Sequence, residues 1–318
     1  MSGSPRTAIS RKFSLILKVA VSVGLVFYCL ESLDVARLKH LLENANIYFL
    51  IAACLVVVVE VSIGAFRFKL MLDPSRRLSF GNHLYQYFGA TFYNMVFPTS
   101  VGGDALRVMW LGSQGLSRLS ALGLILFERY TGLLTLMLVA LVALPFSTVP
   151  PVISNAVLAG TLLCIASMAI LVLAYRWMTN RPRFQSRRAL WFRYIDSLLE
   201  ERGTSLAVIA VALLYQYFTV GITFIVAKSF AIDVTLGQVL VLVPLVWVAT
   251  LIPISLGGLG VREVSFIYLF AHISIAKEEA LILAFGTYLV LLFSAGLGGL
   301  FRLFGLYWWG RESRSSQK

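Results

Sequence analysis

Six stretches of this chain, near 13–30, 47–66, 120–144, 152–174, 205–228 and 279–302, are almost uniformly apolar. Each is close to the roughly 20 residues that an α-helix needs to cross hydrocarbon. Nothing else in the sequence narrows the fold so far. Mean hydropathy is +0.85, with 59% of residues hydrophobic and 13% charged, whereas globular domains run near half apolar and about a quarter charged. A closed β-barrel is the other structure that satisfies its backbone in lipid, and its short alternating strands are absent. The expected fold is an all-α integral membrane protein. Residues 1–318 form one polytopic membrane domain, because no polar stretch is long enough to build a soluble core. The first span follows a basic start but has no small-residue cleavage site before Glu31, so it reads as a retained helix.

Two further apolar pieces, 84–98 and 237–252, are too short for a full crossing and stop at a proline. They run into "FPTSVGGDALR" (97–107) and "IPISLGGLGVRE" (252–263), which share proline, serine, a glycine pair and an arginine in the same order. Pro98 and Pro253 each remove a helix hydrogen bond and restrain the residue before them, so both helices break there. A second apolar piece follows each break, which predicts two re-entrant helical hairpins.

Charge supports that count. With the N-terminus cytoplasmic, segments 1–18, 67–79, 105–118, 175–204 and 302–318 lie inside and carry 21 of the 27 Lys and Arg. This satisfies the positive-inside rule only if both hairpins return to the side they entered from. Both termini and the basic loop 175–204 are then expected in the cytoplasm, in a plasma (inner) membrane. The net charge of +12 fits anionic inner-leaflet lipid and gives no reason to invoke nucleic acid.

The matching extends upstream. Gly64 and Gly221, Gly81 and Gly237, and Pro98 and Pro253 are separated by 157, 156 and 155 residues. A unit of span, loop, hairpin and span therefore occurs twice, at 47–144 and 205–302, with 13–30 and 152–174 as additional helices. The charge pattern puts the two hairpins on opposite sides, so the repeat is inverted. Such repeats with interrupted helices are the architecture of secondary transporters, whose substrate site lies at the repeat interface. "GLGGL" at 296–300 reads instead as glycines for close helix packing.

The candidate site follows from the two motifs. Gly102, Gly103, Gly257 and Gly258 let backbone approach a ligand, with Ser100 and Ser255 as hydroxyl donors, and Arg107 and Arg262 suit a phosphate at a helix start. Together the two arginines are expected to share one anion between the halves. Asp104 reads either as an N-cap for a helix starting at Ala105 or as a direct participant. Glu60, Glu128 and Arg129 lie within spans, where charges need partners. Glu60 reads as a functional group or as the partner of a neighbouring arginine. Glu128 and Arg129 point about 100° apart, so Arg129 is expected to face a cavity and Glu128 a partner such as Arg107 or Arg262. Glu263 adjoins Arg262. Cys29, Cys54 and Cys164 sit in apolar spans, and the three histidines are scattered, so no metal or other cofactor is expected. No P-loop is present, so uphill transport would draw on an ion gradient or a coupled partner.

"FPTSVGGDALR" with the following "ALGLILFERYTGL", and "PISLGGLGVRE", resemble the flippase-like family found as the transmembrane region of lysylphosphatidylglycerol synthases and as stand-alone proteins. The resemblance covers roughly 11–305. It implies a non-enzymatic flippase or transporter that moves a phospholipid or polyprenyl-phosphate-linked lipid between leaflets. Its partners would be an anionic lipid head group, with a homo-oligomer or a lipid-making enzyme as further candidates. By resemblance the matching polar positions are Asp104, Arg107, Glu128, Arg129, Arg262 and Glu263. The sequence ends at Lys318 without the synthases' soluble aminoacyl-transferase domain, so lysyl transfer is not expected. The alternatives are an intramembrane transferase using a lipid-linked donor, as in glycosylation, and a non-catalytic accessory subunit. No D-x-D cluster favours the transferase.

Overall fold

The computed structural model describes residues 5–31, 33–72, 78–97, 102–179, 202–252 and 254–315, with backbone alone for 5–17, 175–176, 178–179, 202–204 and 305–315. Every element among these is helical. In chain order they are α1 (Pro5–Leu30), α2 (Val35–Glu43), α3 (Ile47–Met71), α4 (Phe80–Val96), α5 (Gly102–Ser113) and α6 (Arg118–Ala143). A single 3₁₀ turn, Leu144–Phe146, leads to α7 (Pro151–Thr179), α8 (Arg202–Ser229), α9 (Leu236–Thr250), α10 (Val261–Ala271) and α11 (Lys277–Ser315). Five helices are long and apolar enough to cross a bilayer, or six if α1 and α2, bent by 87°, count as one span. The six expected spans fall on α1, α3, α6, α7, α8 and α11. Residues 31–46 carried no expected element, and α2 lies there. Asp34 caps it by accepting from the backbone N–H of Ala36 and Arg37, and Arg37 pairs with Glu279 on α11 at 2.7 Å.

Both interrupted segments fold as helical hairpins, α4 on α5 and α9 on α10. Glycine makes the first one close: a Cβ at Gly103 would run into the Ala90 carbonyl. The second turns through Gly257, Gly258 and Gly260, all with positive φ, a conformation that other residues adopt at a cost. α1 docks here, its Ser22 hydroxyl accepting from Leu256 N at 2.8 Å. The breaking prolines, Pro98 and Pro253, lie outside the described residues, as does Ser100.

The helix pairing carries a two-fold pattern. Matching α3, α4, α5 and α6 to α8, α9, α10 and α11 turns each pair between the units into another that is present. Thus α4 packs on α11 as α9 packs on α6, and α3 packs on α11 as α8 packs on α6. The equivalent helices α3 and α8 pack on each other, antiparallel: Asn46 N donates to Ser229 O at 2.8 Å, joining the start of one to the end of the other. The two units are therefore inverted. Close approach again depends on glycine, since a Cβ at Gly298 of α11 would strike the Phe88 carbonyl of α4. That bears out the packing reading of "GLGGL" and is the usual way helices associate without a hydrophobic drive.

The larger apolar core joins both units through residues such as Val57, Met137, Val226, Leu242 and Phe270. A smaller one, with Phe68, Met71, Trp110, Leu111 and Ile125, closes one end of the first unit. Large aliphatic side chains such as Leu55, Leu163, Leu289 and Leu303 are exposed around the outside. An apolar exterior of that extent suits a hydrocarbon surrounding.

Candidate functional site

The first hairpin encloses a cluster of ionised side chains, and the elements that deliver them explain its geometry. α5 begins at Gly102. The orphan N–H of Gly103 is satisfied across the hairpin by the Asn94 side chain at 2.8 Å. Asp104 is thereby released from capping: it sits buried in the first turn of α5, and its carboxylate takes the Arg129 Nε. Because α5 starts at Gly102, Asp104 does not cap a helix from Ala105; it forms an ion pair instead. Arg107, one turn on, lies 3.9 Å from Asp104 Oδ1 and 2.5 Å from Glu128 Oε2. Its guanidinium stacks over the rings of Phe68 and Tyr87, 4.1 and 4.9 Å from their centroids. Tyr87 also donates its hydroxyl to Glu128 Oε1 at 3.2 Å.

Glu128 and Arg129 are adjacent on α6 and diverge as helix geometry requires, Glu128 to Arg107 and Arg129 to Asp104. Three of the four side chains are under 10% exposed, whereas that of Arg129 is 42% exposed. The cluster thus has a buried base and one accessible cation.

Sequence reasoning placed Arg67 in an inside loop. α3 runs on to Met71 and carries Arg67 into the cluster, 2% exposed. Its Nη2 donates to the Glu128 carbonyl at 2.5 Å and to Thr131 Oγ1 at 2.7 Å, while its Nε has no partner among the described residues. A signal was available: Glu60 and Arg67 are seven residues apart and share a helix face. Arg302, counted with the basic tail, donates to Gln86 at 2.6 Å and lies 4.4 Å over the Tyr85 ring. No periodicity predicts that contact between α4 and α11.

The second hairpin is built differently. Arg262 pairs with the adjacent Glu263, and its guanidinium lies 4.2 Å over the Tyr288 ring. Glu263 also accepts from Gly260 N at 2.6 Å, closing the N-terminus of α10. The two arginines expected to share one anion are thus each held by carboxylates of their own half. Gly257 and Gly258 form the turn, and the Ser255 hydroxyl is buried without a partner among the described residues. Glu60 is 4% exposed and joins no ion pair among the described residues; it accepts from Thr219 of α8 at 2.8 Å. No group of three or more potential metal ligands exists among the described residues.

Fold and site together define an all-α integral membrane protein built from two inverted units, with a buried charge cluster at one broken helix. The sequence profile of the lysylphosphatidylglycerol synthase TM region matches residues 15–299, and the chain belongs to that family. Its members are membrane-associated and lipid-related. Comparison with curated proteins finds no match.

Proposed function

We propose that the protein moves a lipid with an anionic head group, a phospholipid or a polyprenyl-phosphate-linked lipid, between the leaflets of a plasma (inner) membrane. The observation that carries this reading is Arg129: an accessible guanidinium on a membrane-spanning helix, braced from behind by the buried Asp104. Charge at such depth is costly and marks substrate pathways. A guanidinium suits phosphate because its planar fork of donors matches the oxygens. Gly102, Gly103 and Arg107 support it in the first hairpin, and Gly257, Gly258, Ser255 and Arg262 are the counterpart elements in the second. The orientation, with both termini and residues 175–204 cytoplasmic, rests on the basic residues of the sequence.

The reading is non-enzymatic. Glu128 and Glu263 are the carboxylates a transferase would use as base, and both are committed to arginines. The test is reconstitution of the purified full chain in vesicles containing head-group-labelled phosphatidylglycerol, with external quenching to follow exchange between leaflets. Exchange above protein-free vesicles is expected, lost in Arg129→Ala and partly kept in Arg129→Lys. Exchange equal to empty vesicles for every anionic lipid tried, or turnover of a lipid-linked donor that disappears in Glu128→Ala, overturns the proposal.

A further inference from the structure

Glu60 is a buried carboxylate inside a span that joins no ion pair among the described residues. It lies at the middle of the 25-residue α3. The repeat offsets of 155–157 put its counterpart in the second unit at residues 215–217, and its carboxylate accepts from Thr219, with Tyr215 beside it. A residue that touches the neighbours of its own counterpart lies close to the pseudo-two-fold axis. Glu60 therefore sits where the two halves meet, and its donor Thr219 belongs to the half opposite its own.

Among the described residues no cation pairs with it. Tyr215 and the Thr219 hydroxyl face it from α8, and Tyr87 from α4, with Glu128 and Arg107 beyond that ring. Arg67 is two turns further along α3, about 10 Å by helix rise, and is bonded to the Glu128 carbonyl and Thr131. From α11, the other helix packed on α3, Tyr288 is turned to Arg262. An ionised carboxylate in such a place is unfavourable unless a cation or a proton joins it.

We propose that Glu60 is a proton-binding site that couples a transmembrane proton gradient to rocking of the two units. An ionised carboxylate only accepts hydrogen bonds, so it holds the Thr219 donor of the opposite half. Once an O–H bond forms, the group also donates and one acceptor position is lost, so the seam between α3 and α8 is held differently. In an inverted-repeat protein that seam is what alternating access must rearrange. The proton enters from one side while the seam is open to it, and the O–H bond breaks toward the other side after rocking. No second species is consumed. The coupling to lipid rests on the function proposed above; the proton site does not.

The experiment separates the two. Infrared difference spectra of the full chain in vesicles are recorded across about pH 5 to 9, the range over which carboxyl groups in buried sites are known to titrate. A carboxylic-acid carbonyl band that titrates, disappears in Glu60→Gln, and shifts in Glu60→Asp and in Thr219→Val is expected. Absence of any band that depends on Glu60 overturns the proposal, whatever the lipid assay shows. In the second arm, an imposed pH gradient is expected to change the rate of labelled phosphatidylglycerol exchange by about fivefold or more, a typical coupling factor. Glu60→Gln should abolish that response. A titrating band with no lipid exchange in the parent protein supports the proton site and overturns the lipid reading alone. Exchange that ignores the pH gradient, or that responds to sodium instead with Glu60 permanently ionised, overturns the coupling.

Discussion

Removing Glu128 is the perturbation whose cost the structure defines best. Arg107 is enclosed between Phe68 and Tyr87, and its side chain is 7% exposed against 5% for Glu128. In Glu128→Ala the guanidinium keeps only Asp104, which is 3.9 Å away and already bonded to Arg129. Breaking a buried pair from one side costs about 3–5 kcal/mol, because the remaining charge has neither water nor partner. At about 2–4 °C per kcal/mol for a chain of this order of size, the unfolding midpoint should drop by roughly 6–20 °C. The pair itself is not expected to be worth that much. Replacing both partners by apolar groups of similar volume, Arg107→Met with Glu128→Leu, should recover most of the loss, since Asp104 and Arg129 still neutralise each other. Cys29 is buried whereas Cys54 and Cys164 are partly exposed, so with those two replaced by alanine a thiol-reactive dye at fixed scan rate in detergent reports unfolding. A Glu128→Ala midpoint within about 2 °C of the parent would refute the reasoning, as would a double variant that loses the sum of the two single losses.

Gly103→Val should destabilise the first hairpin by at least about 1–3 kcal/mol, because a Cβ there meets the Ala90 backbone, and the same thermal assay reads it. Glu263→Ala should cost more than Arg262→Ala, since it strands a buried guanidinium and also removes the acceptor of Gly260 N–H; equal midpoints would contradict this. On a background without native cysteines, a single cysteine at 183–193 should react with impermeant reagent only after the membrane is opened, and labelling of intact cells would reverse the proposed orientation.

What the sequence determined by itself is whatever a bilayer imposes locally. Hydrocarbon forces each crossing to be a helix of about 20 apolar residues, so α3, α6, α7, α8 and α11 could be read from apolar length alone. A proline with paired glycines breaks a helix whatever surrounds it, so the two hairpins were legible, and offsets of 155–157 exposed the repeat. Helix geometry made Glu128 and Arg129 diverge before their partners were known. The rest was decided by which faces meet. Asp104 had a capping role available, and Asn94 on the facing helix made it unnecessary by bonding Gly103. Arg107 and Arg262 carry equal motifs, yet α6 brings Arg107 a carboxylate from another helix while Arg262 finds its own at the next residue. Glu60 gave no sign in sequence that its donor would be Thr219, more than 150 residues away, because that contact exists only once α3 and α8 cross antiparallel at the axis. Periodicity runs along one helix; the chemistry of this protein is set between helices, where only packing determines which buried charge meets which.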